Sequence, residues 1–425
     1  MKFITALVMI MIMEKKTKMF GISTVALMLN FSLQNYEFSK ACLALLSDHL
    51  SFWMVNLSLW IMLMTMNFKM KEKTTFSTLM TATAVLLVIT FSVWNFMMFY
   101  IMFEIMMIMM FIFIIMWGYQ PERMEASLYM IFFTLVFSTP LFFSINLSLN
   151  SLDFTITWMK KSIALYLGFM MVFMVKLPLF FIHLWLPKAH VESPTFGSMI
   201  LAAIMLKLGG YGVIRMGMSV IQFKKENSLI LATALWSAIL LSTVCMMQND
   251  LKTIVAYSSV VHVMIMLTNL IMYKQKSVTA SLVIMIGHGL TSSGLFFMLN
   301  ASYNTSKSRS SIINKGIMET SPQMSTLWFI LCMSNTPMPP SLNMLGEIMC
   351  MKSILVWNSK LMLMMMILMM VSAMYSVYMF YIKSHGQKST LIKTAYASTS
   401  HNMTVSSMHA FPMLAIMIKP IMVNG

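Results

Sequence analysis

Charge is scarce in this chain of 425 residues. Asp, Glu, Lys and Arg together make up only 10% of it, against about 25% in an ordinary soluble domain, so no water-facing surface of the usual kind can be built from it. Cysteine is sparse as well. Cys42, Cys245, Cys332 and Cys350 show no CxxC or CxxH spacing, which leaves structural zinc, iron–sulfur and disulfide frameworks without support. Arginine occurs three times, at Arg123, Arg215 and Arg309, while methionine occurs 57 times. That imbalance fits a genome that reads an extra isoleucine codon as Met and restricts arginine codons, and so points to mitochondrial translation. The alternating polar and apolar pattern of a membrane barrel is missing too, because the apolar runs are too long and too uniform for strands.

What the chain has instead is apolar length. Hydrophobic residues make up 59% and mean hydropathy is +0.80. A bilayer core needs about 20 apolar residues per helix, and runs of that order recur from end to end. Fourteen helices are predicted, over 1–13, 19–33, 49–66, 77–95, 97–117, 126–147, 162–186, 196–214, 228–247, 253–272, 277–300, 324–350, 360–382 and 406–424. Met1–Met13 ends in Glu14–Lys18 and reads as a short first span, since a secretory signal places its positive charges first. The fold class is therefore an all-α polytopic membrane protein. The formal charge of +16 comes from lysines spread over nearly every loop, as topology and headgroup signals are, and not from one nucleic-acid-binding face. Assigned to alternate sides, the loop cations number 15 on the side of Lys15–Lys18 and 12 on the other, which places the first group in the matrix or cytoplasm and both termini opposite.

Two spans carry proline well inside the apolar stretch, the seventh at Pro178 and the twelfth at Pro337, Pro339 and Pro340. Proline removes a backbone donor and breaks a helix, and in a membrane such a break is tolerated where it lines a cavity or meets protein. Paired broken helices mark the internal repeats of transporters. Here they lie five spans apart, an odd offset that means opposite topology. The expected organisation is N-terminal helices over 1–76, a first five-helix repeat over 77–214, a second, inverted, over 215–385, and a C-terminal helix over 386–425.

An ionisable residue at mid-membrane costs ~2.5–3.5 kcal/mol on insertion scales. Glu104, Lys176, Lys207, His262, His288 and Glu347 all fall inside predicted spans. Any one of them alone is as readily a structural ion pair or a satisfied buried group. Six together, two beside proline breaks, point to proton movement. Lys176 lies two residues before Pro178, with Glu104 a candidate carboxylate for it; the charge of a desolvated lysine is sensitive to such a neighbour. Lys207 sits between leucines, where it can trade its proton with water. His262 and His288 lie near the centres of consecutive spans, and histidine both accepts and donates. Glu347 follows the second break and is the expected counterpart of Lys176. Gly209-Gly210-Tyr211-Gly212 lacks the order and preceding strand of a dinucleotide loop. His183 and His190 lack cysteine or paired carboxylates, so no metal site is expected.

Ordered motifs add a resemblance. Lys176-Leu177-Pro178-Leu179 is followed by His183-Leu184-Trp185-Leu186-Pro187-Lys188-Ala189-His190-Val191-Glu192-Ser193-Pro194. Then come Gly197-Ser198-Met199, Leu206-Lys207-Leu208-Gly209-Gly210-Tyr211-Gly212, Asp250-Leu251-Lys252, Ala256-Tyr257-Ser258-Ser259, His288-Gly289-Leu290-Thr291-Ser292-Ser293 and Leu345-Gly346-Glu347. With Phe103-Glu104 and Gln120-Pro121-Glu122-Arg123 they cover roughly 95 to 385. This series resembles the chain-4 family of mitochondrial NADH:ubiquinone oxidoreductase, antiporter-like subunits of respiratory complex I. The resemblance implies a proton-pumping membrane-arm subunit of the mitochondrial inner membrane, with about fourteen helices and two inverted five-helix repeats. It implies a carboxylate–lysine couple at Glu104 and Lys176, a central Lys207, relay residues His262 and His288, and Glu347 on the exit side. It also implies neighbouring antiporter-like subunits and phospholipid such as cardiolipin as partners, and no nucleic acid. NADH, FMN, iron–sulfur clusters and ubiquinone are expected to bind elsewhere in the complex, with no cofactor on this chain. Subunits of multisubunit Na+/H+ antiporters share the lysine and histidine positions and form the alternative.

Overall fold

The computed structural model describes residues 21, 40–42, 45–68, 73–147, 163–387 and 400–418. The spans expected over 1–13 and 19–33 lie outside these. The described elements are helical apart from an antiparallel pair of three-residue strands, β1 (Lys40–Cys42) and β2 (Leu45–Ser47). At three residues each these are far too short to cross a bilayer.

Two compact units divide the chain, Met1–Val172 and Phe173–Gly425. The first holds α1 (His49–Met66), α2 (Lys73–Ser92), α3 (Phe96–Trp117), α4 (Arg123–Leu147) and the start of α5 (Ile163–Lys176). Helix α3 starts where the Asn95 side chain accepts from the Met97 amide at 2.9 Å, satisfying one of the donors that a helix start leaves open. Along α4, Leu128, Phe132 and Phe143 are exposed, a face suited to lipid because the backbone behind it is paired within the helix.

The second unit continues with α6 (Trp185–Glu192), α7 (Thr195–Arg215), α8 (Gly217–Gln222), α9 (Lys224–Met246), α10 (Leu251–Met272) and α11 (Gln275–Ser306). It ends with α12 (Ile317–Thr320), α13 (Pro322–Asn335), α14 (Leu342–Trp357), α15 (Lys360–Ser384) and α16 (Ser400–Ile418). Helices α7 and α11 are buried throughout their most apolar stretches, and α10 almost so, whereas α15 turns Leu363, Met366, Met370 and Met374 outward. Among the described residues, nine helices are long and apolar enough to cross a membrane. The eleventh predicted span runs on to Ser306 where hydropathy alone ends it at 300.

Both proline breaks are present, and the backbone groups they free are handled the same way. Pro178 has no N–H for Met174 O, so the Leu179 amide reaches back to it at 3.3 Å, and Val175 O accepts from Trp185 Nε1 at 3.2 Å. Pro337 likewise has none for Met333 O. The Met338 amide bonds it at 3.2 Å, and Ser334 O accepts from Asn343 Nδ2 at 3.0 Å. Each freed carbonyl is thus satisfied from within the protein, as a water-poor surrounding requires. In this register Lys176 corresponds to Asn335. Glu347 stands beyond its own break, in α14 ten residues after Pro337, whereas Lys176 stands two residues before Pro178.

Candidate functional site

The second unit draws four of the six ionisable residues into one buried row. Lys207 follows a turn of π-helix, Leu201–Met205, in α7. There the Leu206 amide bonds Leu201 O, five residues back, in place of Ala202 O. The Lys207 ammonium donates to that Ala202 carbonyl, so a local irregularity, of the kind that recurs at functional sites, anchors the charge. Its second contact is His288 Nδ1 in α11, at 2.9 Å. An ammonium only donates, so Nδ1 accepts and the proton of neutral His288 sits on Nε2.

His262, near the middle of α10, places its ring 5.4 Å from that of His288. Its Nδ1 lies 3.3 Å from Glu347 Oε1 in α14, and its Nε2 lies 3.3 Å from the Tyr375 hydroxyl in α15. A carboxylate favours Nδ1–H, which leaves Nε2 to accept from tyrosine. Lys207, His262, His288, Glu347 and Tyr375 are each at most 2% exposed. Helices α11 and α14 can come this close because of Gly346: a Cβ there would lie 2.5 Å from Ile284 Cγ1.

Lys176 ends α5, buried, beside the same helix that carries Lys207. A Cβ at Gly209 would fall 3.0 Å from the Lys176 Cβ, so the glycine two residues after Lys207 permits the approach. Glu104 lies in α3 of the first unit. Among the described residues no group of three or more His, Cys, Asp or Glu could hold a metal ion.

Sequence reasoning missed several buried groups. Tyr375 gives no signal, being one aromatic among many in an apolar helix. Lys252 looks like a loop charge, yet its ammonium donates to Val191 O at 2.9 Å and Ser193 O at 2.7 Å, tying the end of α6 to the start of α10. Beside it Arg309 Nη1 lies 3.7 Å from Glu192 Oε1. His190 stacks on Phe296 with ring centroids 4.9 Å apart. Lys383 and His409 are wholly buried. The faint signal for Lys383 is that it follows the apolar run to Ile382 without interruption.

Fold and site together define a class: a multi-pass helical membrane protein with proline-broken helices and a buried Lys–His–His–Glu row. Residues 93–374 match the family described as NADH:quinone oxidoreductase/Mrp antiporter, TM. The chain is 38% identical to NADH-ubiquinone oxidoreductase chain 4 of Ceratitis capitata, over 94% of this chain and 92% of that one. It is 41% identical to the chain 4 of Locusta migratoria, over 78% and 76%. Its fold is similar to a chain in the structure of respiratory complex I from Thermus thermophilus with bound NADH, with TM-score 0.88 and 18% identity, covering 99% of this chain and 96% of that one. A chain of the Mrp complex from Dietzia sp. DQ12-45-1b is also similar, with TM-score 0.86 and 16% identity, over 98% of this chain and 50% of that one. The chain belongs to the NADH:quinone oxidoreductase/Mrp antiporter family, and within it to the NADH-ubiquinone oxidoreductase chain 4 group.

Proposed function

We propose that this chain is a proton-translocating membrane-arm subunit of the mitochondrial NADH:ubiquinone oxidoreductase, and that Glu104, Lys176, Lys207, His262, His288 and Glu347 carry the protons. The observation that supports this best is the buried row Lys207–His288–His262–Glu347, in which a 2.9 Å hydrogen bond, two rings with centroids 5.4 Å apart and a 3.3 Å His–carboxylate contact follow one another. A proton leaving Lys207 Nζ arrives at His288 Nδ1, which makes an imidazolium able to release from Nε2. Between the two rings a water or a small ring rotation spans the gap. His262 takes the proton on Nε2, where it displaces the hydrogen bond from Tyr375, and the resulting imidazolium gives its Nδ1 proton to Glu347 and returns to a neutral ring. Each group changes charge as its neighbour does, so the state of one end is felt electrostatically at the other in a low-dielectric interior.

In this reading NADH, FMN, iron–sulfur clusters and ubiquinone are bound by other subunits, and the chain's part in the enzyme is coupling. Its partners are neighbouring antiporter-like subunits and phospholipid such as cardiolipin, in the mitochondrial inner membrane. The identity to chain 4 relatives favours this over a Na+/H+ antiporter subunit, for which the Dietzia likeness supplies fold alone.

The test is Lys207→Met and Lys207→Arg in the assembled complex, with proton uptake into vesicles and complex assembly measured together. Met is expected to leave assembly intact and to lower NADH-driven pumping and, through coupling, oxidation. Arg is expected to impair both as well, because arginine does not deprotonate in proteins. Normal pumping by the Arg variant sinks the proposal, and unchanged rates when Na+ is replaced by choline exclude the antiporter alternative.

A further inference from the structure

Away from the row, α11, α13, α15 and α16 enclose a second set of buried polar groups. Lys383 is 0% exposed. Its ammonium has three donors, but its one hydrogen bond is to Met298 O at 3.1 Å, and it sits 4.0 Å over the ring of Trp328. It lines a small cavity with Ser302 and Ser321, and it interacts electrostatically with the Cys332 thiol of α13. His409 in α16 is equally buried. Ser293 Oγ donates to the carbonyls of Gly289 and Leu290, so it accepts from His409 Nδ1 at 3.1 Å. That contact leaves the Nε2 lone pair of neutral His409 open. His409 Nε2, Trp328 Nε1 and Ser321 Oγ are all buried without a protein hydrogen-bond partner.

These groups fall in sequence along α11. Ser293 lies five residues beyond His288, ~7.5 Å at the rise of an α-helix, and Ser302 a further ~13.5 Å on. Gly294 marks the contact: a Cβ there would meet Leu331 Cδ2 at 2.9 Å and His409 Cβ at 3.1 Å. Leu331 is one turn along α13 from Trp328, which faces Lys383. A cluster of orphaned donors and acceptors is costly dry, and is the setting in which buried water is held.

We propose that His409 and Lys383 form a second, hydrated proton branch along α11, joining the central row to the membrane face where α11 ends, with Lys383 as the proton-carrying residue at its mouth. The branch deepens the proton-translocation reading and rests on it. A hydronium ion at the mouth gives its proton to neutral Lys383 and leaves as water. The lysine passes the proton through water to His409 Nε2, and His409 Nδ1–H with Ser293 connects to the helix that bears His288. Two of the three Lys383 donors face no protein acceptor, which leaves them to the water that exchanges its proton.

The experiment uses the assembled complex in vesicles, with Lys383→Met, Lys383→Arg and Lys383→His, and Lys207→Met as the reference for the central row. Met and Arg are expected to cause at least a several-fold loss of NADH-driven proton uptake with assembly retained, and His to restore part of it. Wild-type uptake in the Met or Arg variant overturns the branch; if Lys207→Met still abolishes uptake, the central row stands without it. Should the variants fail to assemble, a high-resolution cryo-EM map of the unaltered complex decides. Ordered water within hydrogen-bond reach of both His409 Nε2 and Lys383 Nζ supports the branch, and a dry, closed contact overturns it.

Discussion

Tyr375 has the smallest role that geometry can isolate. Its hydroxyl is 3.3 Å from His262 Nε2, a long hydrogen bond whose net worth is ~0.5–1.5 kcal/mol. Its value to the row is orientation, since it presents a donor to the nitrogen that Glu347 does not face. Tyr375→Phe removes the donor and keeps the ring, so the complex is expected to assemble normally and to pump several-fold more slowly, as read by proton uptake in vesicles. Glu347→Gln is a stronger change. It keeps the shape of the side chain but removes the anion at 3.3 Å from His262 Nδ1, and proton uptake is expected to fall to background with assembly retained. Uptake at the wild-type rate would place Glu347 outside the path.

At the scale of elements, the two breaks make a paired prediction. Trp185 and Asn343 each donate to a carbonyl that proline has freed, Val175 O and Ser334 O. Trp185→Phe and Asn343→Leu each leave a buried acceptor unpaired, at ~1–3 kcal/mol. Both are expected to lower the yield or thermal stability of the assembled complex by similar amounts; a loss for one and not the other would show that the breaks are not equivalent devices. Gly346→Val acts on a different property of the same region. Its Cβ would lie 2.5 Å from Ile284 Cγ1, so α11 and α14 must part and Glu347 must leave His262. A map of the variant is expected to show that separation, measured as a longer His262–Glu347 distance.

For the whole molecule, the expected repeats 77–214 and 215–385 predict that one set of five helices superposes on the other after a two-fold rotation about an axis in the membrane plane. An experimental structure of the assembled complex in which α5 and α13 run the same way across the bilayer would end that reading. The shared treatment of Pro178 and Pro337 supports it, because a carbonyl four residues before each proline and the next carbonyl along find the same kinds of substitute donor.

Much of this molecule is decided locally. A lipid-embedded backbone must satisfy its polar groups within its own helix, so length and hydropathy suffice to place α1 at His49–Met66 and to start α15 at Lys360, and proline chemistry suffices to place both breaks. The cost of burying charge likewise marks Lys207, His262, His288 and Glu347 from sequence alone. Which of these residues meet is another matter. Side chains on a helix fan out by about 100° per residue, so contact depends on how each helix is rotated and how near its neighbour lies. Hydropathy records neither. The approach at Gly346, the π turn that frees Ala202 O for Lys207 and the hydroxyl of Tyr375 against His262 exist only once α7, α10, α11, α14 and α15 are packed. Lys383 shows the same division from the other side. Its position at the end of an apolar run makes it a topology charge in the sequence, and only the packing of α11 and α13 over it turns it into a buried cation.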